Sequence, residues 1–422
     1  MEGVVKASFS NMNYVRAECE NPIRTDATEN KGAACLQIKH AAQGYRSYQR
    51  YLEYWDTASN TGNGTTDQKK RPQGFAIMYE NTTITPAWVN VIDTKEVSKK
   101  YNRAINNVSL AMPHAGVVQA ARDSRNKIMQ PEDLDNMGLY SLRAAVPSPV
   151  LHVLCANLNR TELRPLIFET WGPRGHIVNI SSWMTQMNNA TTRNKTVVDH
   201  IFGWTKESPT RIDYPPVFAR YPRPFNTIMN HTNWAYGRDS IYLLGQGGND
   251  IGSNLTETFV LCQIRVSITN NCSSIYNATG SGGSLSANCE DEHDDFAYHR
   301  HNPKSAPITK IPDWRDVGFD WANALSLNTG IMDANASNSR LLTQLILREG
   351  GGEGFPDMGI DLSTKLPSPA EALAVMAGPT LIMGSLDSPF VEFYVSRSSS
   401  LLFSFPDFLF VHSPFSQVFR VF

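Results

Sequence analysis

Acceptor sites for asparagine-linked glycosylation constrain this chain most, because every occupied site must end at the surface of the folded protein. The sequence has 12 Asn-x-Ser/Thr triplets without a central proline. With 33 Asn, 35 Ser and 29 Thr in the chain, random placement would give about five. The excess predicts maturation in an extracellular or lumenal compartment, against the alternative of a compositional accident. The acceptors are Asn63, Asn81, Asn107, Asn159, Asn179, Asn189, Asn194, Asn230, Asn254, Asn271, Asn277 and Asn335.

The composition narrows the class of protein. The 422 residues include 41% hydrophobic residues, which is enough for one large core or two ordinary ones. The formal net charge is −2, without the basic excess that a phosphate backbone attracts. We therefore expect no nucleic-acid partner.

Six cysteines, an even number without zinc-binding spacing, predict a set of disulfides. Cys19 and Cys35 are near in sequence and would close one local loop. Cys272 and Cys289 would close another. These loops leave Cys155 and Cys262 for each other, unless those two are simply buried thiols in apolar strands.

The sequence contains no obvious membrane-inserting segment. Residues 1–10 lack the apolar stretch of about 7–15 residues of a signal peptide, and no apolar run reaches the roughly 18 residues of a membrane helix. We therefore expect such a segment to lie in a longer precursor, outside these residues.

Hydrophobic periodicity predicts a long helix followed by strands. Over residues 33–56, apolar residues recur at spacings of three and four and form one aromatic-rich stripe, which consists of Ile38, Ala41, Tyr45, Tyr48, Leu52 and Trp55. Alternation in Phe259–Ile268 predicts a strand with one apolar face and a second face that becomes polar along its length. The Gly/Ser-rich residues 278–288 are predicted to form a flexible loop. Further strands are predicted at Phe75–Tyr79, Tyr140–Val146, Val150–Cys155 and Ile241–Leu244.

Two short helices are predicted near the end of the chain. Leucine and isoleucine line one side of Ser339–Arg348. Ser368 and Glu371 have the spacing of a capping box, with Pro369 in the first helical position, and the helix is predicted to end at Gly378.

The chain offers no motif that indicates a cofactor, a metal ion or a catalytic residue. The acidic run Glu290–Asp295, with nearby His299 and His301, matches neither the zinc nor the calcium spacing. The glycine-rich segments Gly245–Asp250 and Gly350–Gly354 lack the residues of nucleotide loops. The segment Gly282–Ser286 lacks the closing glycine of a serine-nucleophile turn. Two acidic residues could supply the pair of catalytic carboxyl groups that a glycosidase uses. The candidates are Glu169, Asp213, Asp250, Asp320 and Glu353.

Four segments of the chain are distinctive: Ile38–Tyr45, Tyr101–Val117, Gln130–Asp135 and Leu366–Gly378. Together they resemble the large non-cytosolic domain of uncharacterised multi-pass membrane glycoproteins of filamentous fungi. The resemblance covers roughly residues 33–394 and implies membrane segments on both sides of the domain, with no catalytic residues to transfer. The last 28 residues do not resemble the expected continuation, and we expect them to derive from an incorrectly assigned coding sequence.

The expected fold is α+β, with a mixed or mainly antiparallel sheet and flanking helices. We expect an N-terminal extension at 1–32, a glycosylated ectodomain at 33–394 and an atypical tail at 395–422. The expected function is the ectodomain of a membrane-anchored fungal glycoprotein with an interaction or structural role at the cell surface or in the secretory pathway. Its partner would be a protein or a carbohydrate. The alternative is a secreted or lumenal hydrolase with a carboxylate- or His-based site.

Overall fold

The computed structural model describes part of the chain, including a large hydrophobic core. The described residues are 2–8, 33–60, 77–79, 82–91, 101, 103, 105–135, 138–144, 148–159, 162, 169–170, 177–178, 201–202, 220–221, 240–247, 258–269, 271–290, 321, 367–385 and 392–397. Within them the chain has three α-helices, two large sheets and a small two-stranded sheet. This is the α+β fold that the sequence predicts.

The helices and strands have the following bounds. The helices are α1 (Ala33–Asn60), α2 (Gly116–Arg122) and α3 (Pro369–Ser385), and short 3-10 helices lie at Ser124–Asn126 and Pro131–Leu134. The first sheet contains β1 (Glu2–Ser8), β2 (Ile77–Tyr79), β3 (Thr82–Thr85), β6 (Tyr140–Ala144), β13 (Cys272–Thr279), β14 (Gly282–Cys289) and β15 (Glu392–Arg397). The second contains β4 (Ala87–Val91), β5 (Ile105–Ala111), β7 (Ser148–Asn159), β10 (Arg220–Tyr221), β11 (Ser240–Gly247) and β12 (Thr258–Thr269). The small sheet pairs β8 (Glu169–Thr170) with β9 (Ile177–Val178).

The six-stranded sheet has the order β10-β11-β12-β7-β5-β4 and is antiparallel except at its short β10–β11 edge. The burial of side chains along its long central strand β12 confirms the predicted alternation. Val260 and Ile264 are fully buried on the apolar face, whereas Ser267 on the other face is exposed. Because Leu261 is buried on that second face, one end of the strand is covered on both sides, as predicted.

The seven-stranded sheet is mixed, with the order β15-β1-β6-β13-β14-β3-β2. Its centre is the hairpin of β13 and β14, joined at Gly280 and Ser281. The prediction of a flexible loop at 278–288 is therefore wrong. Small residues, most of them polar, flank Leu285, whose side chain is fully buried. Strand β14 pairs with β13 on one side and with β3 on the other. Pairing on both sides outweighs the weak strand preference of glycine and serine.

Helix α1 confirms the long aromatic helix and extends it to Asn60. Tyr48 and Trp55 of the predicted stripe are buried, and Leu52 packs at its edge. Tyr51, which the stripe does not include, is fully buried as well. The buried face is thus wider than predicted because α1 contacts both α3 and β2.

Helix α3 begins at the predicted capping box. The backbone N–H of Ser368 donates to Glu371 Oε2 at 2.9 Å, and the N–H of Glu371 donates to Ser368 Oγ at 3.3 Å. The predicted end at Gly378 is wrong, since the helix continues through Pro379 to Ser385. A proline inside a helix costs about 3 kcal/mol, but residues 369–382 are buried on all sides and cannot unwind into water.

The two large sheets and the helices share one hydrophobic core. Helix α3 contacts β5 and β7, while β13 contacts β7. The connection from β5 to α2 is buried, and the backbone N–H of His114 within it donates to Ser274 Oγ of β13 at 2.8 Å. This hydrogen bond joins a connection leaving one sheet to a strand of the other.

Other predictions concern the ends of the chain and its membrane segments. Strands β1 and β15 pair antiparallel, so residues 2–8 and 392–397 belong to the same sheet. The division at 32 and 394 stays a prediction, and the helix predicted at Ser339–Arg348 lies outside the described residues. Among the described residues, no helix combines the length and the apolar character needed to cross a bilayer.

Candidate functional site

A polar cleft of about 320 Å³ opens beside the tip of the β13–β14 hairpin. Its walls come from three parts of the fold: the end of α2, the second 3-10 helix with the residue before it, and the hairpin turn. The lining residues are Arg122, Gln130, Glu132 and residues 279–282.

Arg122 is held in the cleft by Tyr276 of β13. Its Nε donates to the Tyr276 hydroxyl at 2.9 Å. The guanidinium carbon lies 5.8 Å from the centre of the Tyr276 ring, within the range of a cation–π interaction. Because the Tyr276 side chain is fully buried, it forms a fixed support for an arginine at the surface.

Tyr140 and Gln130 fix the adjoining wall. The Tyr140 hydroxyl donates to Gln130 Oε1 at 3.1 Å, and Gln130 Nε2 donates to the carbonyls of Ala121 and Ile128 at 2.9 Å each. Burial, with a smaller contribution from Tyr276, raises the pKa of Tyr140 to about 12. The phenol therefore stays a neutral donor, and the Gln130 amide has a fixed orientation.

Glycines bring the hairpin close to this network. Gly282 has a φ of 148°, a conformation that side chains disfavour. At Gly283, a Cβ would lie 2.7 Å from Tyr276 Cε2 and 2.9 Å from its hydroxyl. Tyr276, which supports Arg122, thus packs directly against the backbone of Gly283.

A histidine bridge lies on the other large sheet. His152 Nδ1 is 2.7 Å from Ser109 Oγ, and its Nε2 is 2.6 Å from Ser267 Oγ. The imidazole thereby joins β5, β7 and β12. Burial lowers the pKa of His152, and the nearby charge of Arg265 lowers it further. The ring is held neutral, so one nitrogen donates to a serine while the other accepts.

Two disulfides connect directly opposed residues of neighbouring strands. Cys155 of β7 is bonded to Cys262 of β12 in the six-stranded sheet. Cys272 and Cys289 are bonded across the β13–β14 hairpin in the seven-stranded sheet. Both predicted pairs are confirmed, and the buried-thiol alternative for the first pair is wrong. Such bonds indicate an oxidising extracellular or lumenal compartment. The Cys19–Cys35 pair stays a prediction, because Cys19 lies outside the described residues.

Four predicted glycan acceptors lie in described segments. Asn107, Asn271 and Asn277 are half-buried, and Asn159 is the last residue of β7. The Asn277 amide nitrogen donates to Ser284 Oγ at 3.3 Å. Attachment of sugars stays a prediction at every acceptor. Those outside the described residues are Asn63, Asn81, Asn179, Asn189, Asn194, Asn230, Asn254 and Asn335.

Among the residues that the structure describes, the other sequence motifs do not come together in one site. Of the acidic and histidine cluster, only Glu290 is described, and it forms an ion pair with Arg143. No group of three metal-binding side chains occurs among the residues that the structure describes. Gly245–Gly247 belong to β11, and Gly282–Ser286 to β14. Glu169 lies in β8, whereas Asp213, Asp250, Asp320 and Glu353 are outside the described residues.

Sequence reasoning does not identify Arg122, Tyr276 or His152. Arg122 and Tyr276 are 154 positions apart, and neither belongs to a recognisable motif. Comparison with models of protein families, with curated proteins and with solved structures gives no match.

Proposed function

We propose that this chain forms the non-cytosolic domain of a membrane-anchored fungal glycoprotein, which acts at the cell surface or in the secretory pathway through binding or a structural role. The membrane anchor would be supplied by segments outside these residues. The partner would be a protein or a carbohydrate.

The observation that carries this proposal is the pair of cross-strand disulfides, one in each large sheet. Disulfides persist in oxidising compartments, which are also where asparagine-linked glycans are found. The 12 acceptor triplets therefore agree with the cysteine chemistry. The two signals are independent, since one depends on thiols and the other on asparagines.

The described cleft favours binding over catalysis. Its two charged side chains, Arg122 and Glu132, are both exposed. Catalytic acids and bases are usually enclosed, since removal from water shifts their pKa values and strengthens their electrostatic effects. An open, polar cleft of this size is suited to recognising a small group on a partner.

The test is expression of the complete transcript in a fungal host, followed by deglycosylation, membrane fractionation and titration of thiols. We expect a loss of apparent mass on deglycosylation, recovery in the membrane fraction and no reactive thiol at the two bonded pairs. Asn277→Gln should remove the mass of one glycan. Asn288→Gln is the control, because Asn288 is half-buried on the same hairpin but is not an acceptor. Unchanged migration with free thiols would contradict the proposal.

A hydrolase is the second candidate, favoured by the distance of 2.7 Å between Ser109 Oγ and His152 Nδ1. A neutral imidazole at this distance can accept the proton of a serine nucleophile. The nearby Arg265 disfavours the imidazolium that would result, which is opposite to the effect of the acid in a catalytic triad. Labelling with a fluorophosphonate probe tests this candidate. Labelling that is lost in Ser109→Ala but kept in Ser267→Ala would support a hydrolase. No labelling of the wild type would rule it out.

A further inference from the structure

We propose that the cleft at Arg122 binds the carboxylate of a sugar acid, with a hexuronate as the simplest example. This inference rests on the interaction role proposed above and specifies the chemistry of the ligand. The ligand carries one carboxylate, which Arg122 recognises, and hydroxyl groups, which the remaining polar lining recognises.

The Arg122 guanidinium is positioned by one hydrogen bond to Tyr276. Its Nε donates to the Tyr276 hydroxyl, and no hydrogen bond joins its two terminal nitrogens to another residue of the described segments. Among the described residues, no carboxylate forms an ion pair with Arg122. Other arginines of this region do have such partners: Arg125 pairs with Asp123 and Arg143 with Glu290. A planar carboxylate matches the guanidinium with two parallel hydrogen bonds.

The described lining of the cleft carries one positive and one negative side chain. Glu132 lines the same cavity as Arg122, and the two form no ion pair with each other. A carboxylate there repels a ligand of high negative charge, such as a phosphate, but accepts hydrogen bonds from hydroxyl groups. The cleft therefore favours a ligand with a single negative charge and neighbouring donors.

The cavity is small and polar. Residues 279–282 contribute a threonine, a serine and backbone groups, and the described lining includes no large apolar side chain. Its volume is near the lower end for small-molecule sites, about 300–1,000 Å³. A small polyhydroxylated molecule fits these properties better than an apolar one.

Hydrogen bonds within the protein preorganise the side chains of the cleft. The hydrogen bond to the Tyr276 hydroxyl positions Arg122. The hydrogen bond between Tyr140 and Gln130 fixes the adjacent wall of the cleft. The two tyrosine rings contact each other edge to face, with centroids 6.0 Å apart. A ligand therefore meets side chains that are already oriented, so less conformational entropy is lost on binding.

The experiment is calorimetric titration of the purified, disulfide-bonded domain with sodium D-glucuronate, with D-glucose and sodium acetate as comparison ligands. We expect saturable binding of glucuronate at one site, and affinities at least tenfold lower for glucose and for acetate. Glucose binding as tightly would overturn the role of the carboxylate. Acetate binding as tightly would overturn the role of the hydroxyl groups.

Variants locate the site. Arg122→Gln should weaken glucuronate binding at least tenfold, since it removes a charge-assisted pair of hydrogen bonds. Arg125→Gln is the matched control, because this exposed arginine already pairs with Asp123 and does not line the cleft. Equal binding by the wild type and Arg122→Gln would overturn the proposal. Thermal unfolding of each variant establishes that it is folded, and Glu132→Ala, at an exposed position, provides a second variant expected to weaken binding.

The result is separable from that for the proposed function. Deglycosylation and fractionation report the compartment and the anchor, whereas the titration reports the cleft alone. A glycosylated, membrane-anchored protein that does not bind glucuronate would overturn only the inference about the ligand.

Discussion

The Tyr51 hydroxyl donates a hydrogen bond to Glu371 Oε1 at 3.0 Å, and both side chains are buried. The bond joins α1 to α3 across 320 positions of sequence. The same carboxylate accepts from the Ser368 backbone through its other oxygen. Glu371 thus caps its own helix and also fixes the position of the helix against α1.

Tyr51→Phe should lower the free energy of unfolding by about 1.5–3 kcal/mol, because it removes a donor from a buried carboxylate. Urea denaturation measures the effect. Tyr54→Phe on the same helix is the control, since Tyr54 is 40% exposed, and it should change stability by less than about 0.5 kcal/mol. Equal effects of the two variants would show that the hydrogen bond does not contribute to stability.

The two disulfides should differ in their contribution to stability. They join residues separated by 107 and 17 positions. Chain entropy then predicts losses of about 5 kcal/mol for the Cys155→Ala/Cys262→Ala variant and about 3 kcal/mol for Cys272→Ala/Cys289→Ala. Urea denaturation under oxidising conditions measures both, and the reverse order would contradict this account. With both disulfides reduced, the wild type should be less stable than either double variant.

Acidification should destabilise the protein through His114. Burial lowers the pKa of His114 to about 3, whereas the unfolded chain has the ordinary value near 6.5. Protons therefore bind preferentially to the unfolded state between these values. The stabilising contribution is complete above pH 6.5 and decreases as the pH falls, by about 2 kcal/mol between pH 7 and pH 5.

A His114→Asn variant tests this prediction. The Nδ1 of His114 accepts from the Gly116 backbone N–H at 3.1 Å, and an asparagine oxygen can accept a similar bond without titrating. Its stability should change about 2 kcal/mol less than that of the wild type between pH 7 and pH 5. Parallel pH profiles for the two proteins would refute the assignment. His152→Gln should also reduce the change in stability between pH 7 and pH 5, but by less than His114→Asn does, because His152 is only half-buried.

Gly283→Ala should destabilise the hairpin, because the new methyl group would collide with the Tyr276 ring. Such overpacking costs about 1–3 kcal/mol. It should also weaken glucuronate binding, since Tyr276 supports Arg122. Ser286→Ala, at a half-buried position on the same strand, should leave both properties nearly unchanged. Wild-type stability of Gly283→Ala would mean that Tyr276 moves aside without cost.

Local patterns determined several elements from the sequence alone. Alternation located β12, the three- and four-residue spacing located α1, and the capping box located the start of α3. The Cys272–Cys289 pair followed from closeness in sequence, whereas Cys155–Cys262, separated by 107 positions, followed only by elimination. The element predictions succeed because each depends on residues that are close in sequence, where the period of a strand or the reach of a capping side chain fixes the outcome.

Tertiary structure decided the rest. Pairing on both sides made residues 282–289 a strand although their composition is typical of a loop. Complete burial carried α3 past Gly378 and Pro379. The cleft depends on Arg122 meeting Tyr276 and Gln130 meeting Tyr140. No local signal encodes such contacts, because their energy comes from burial and from partners that only the folded chain brings together.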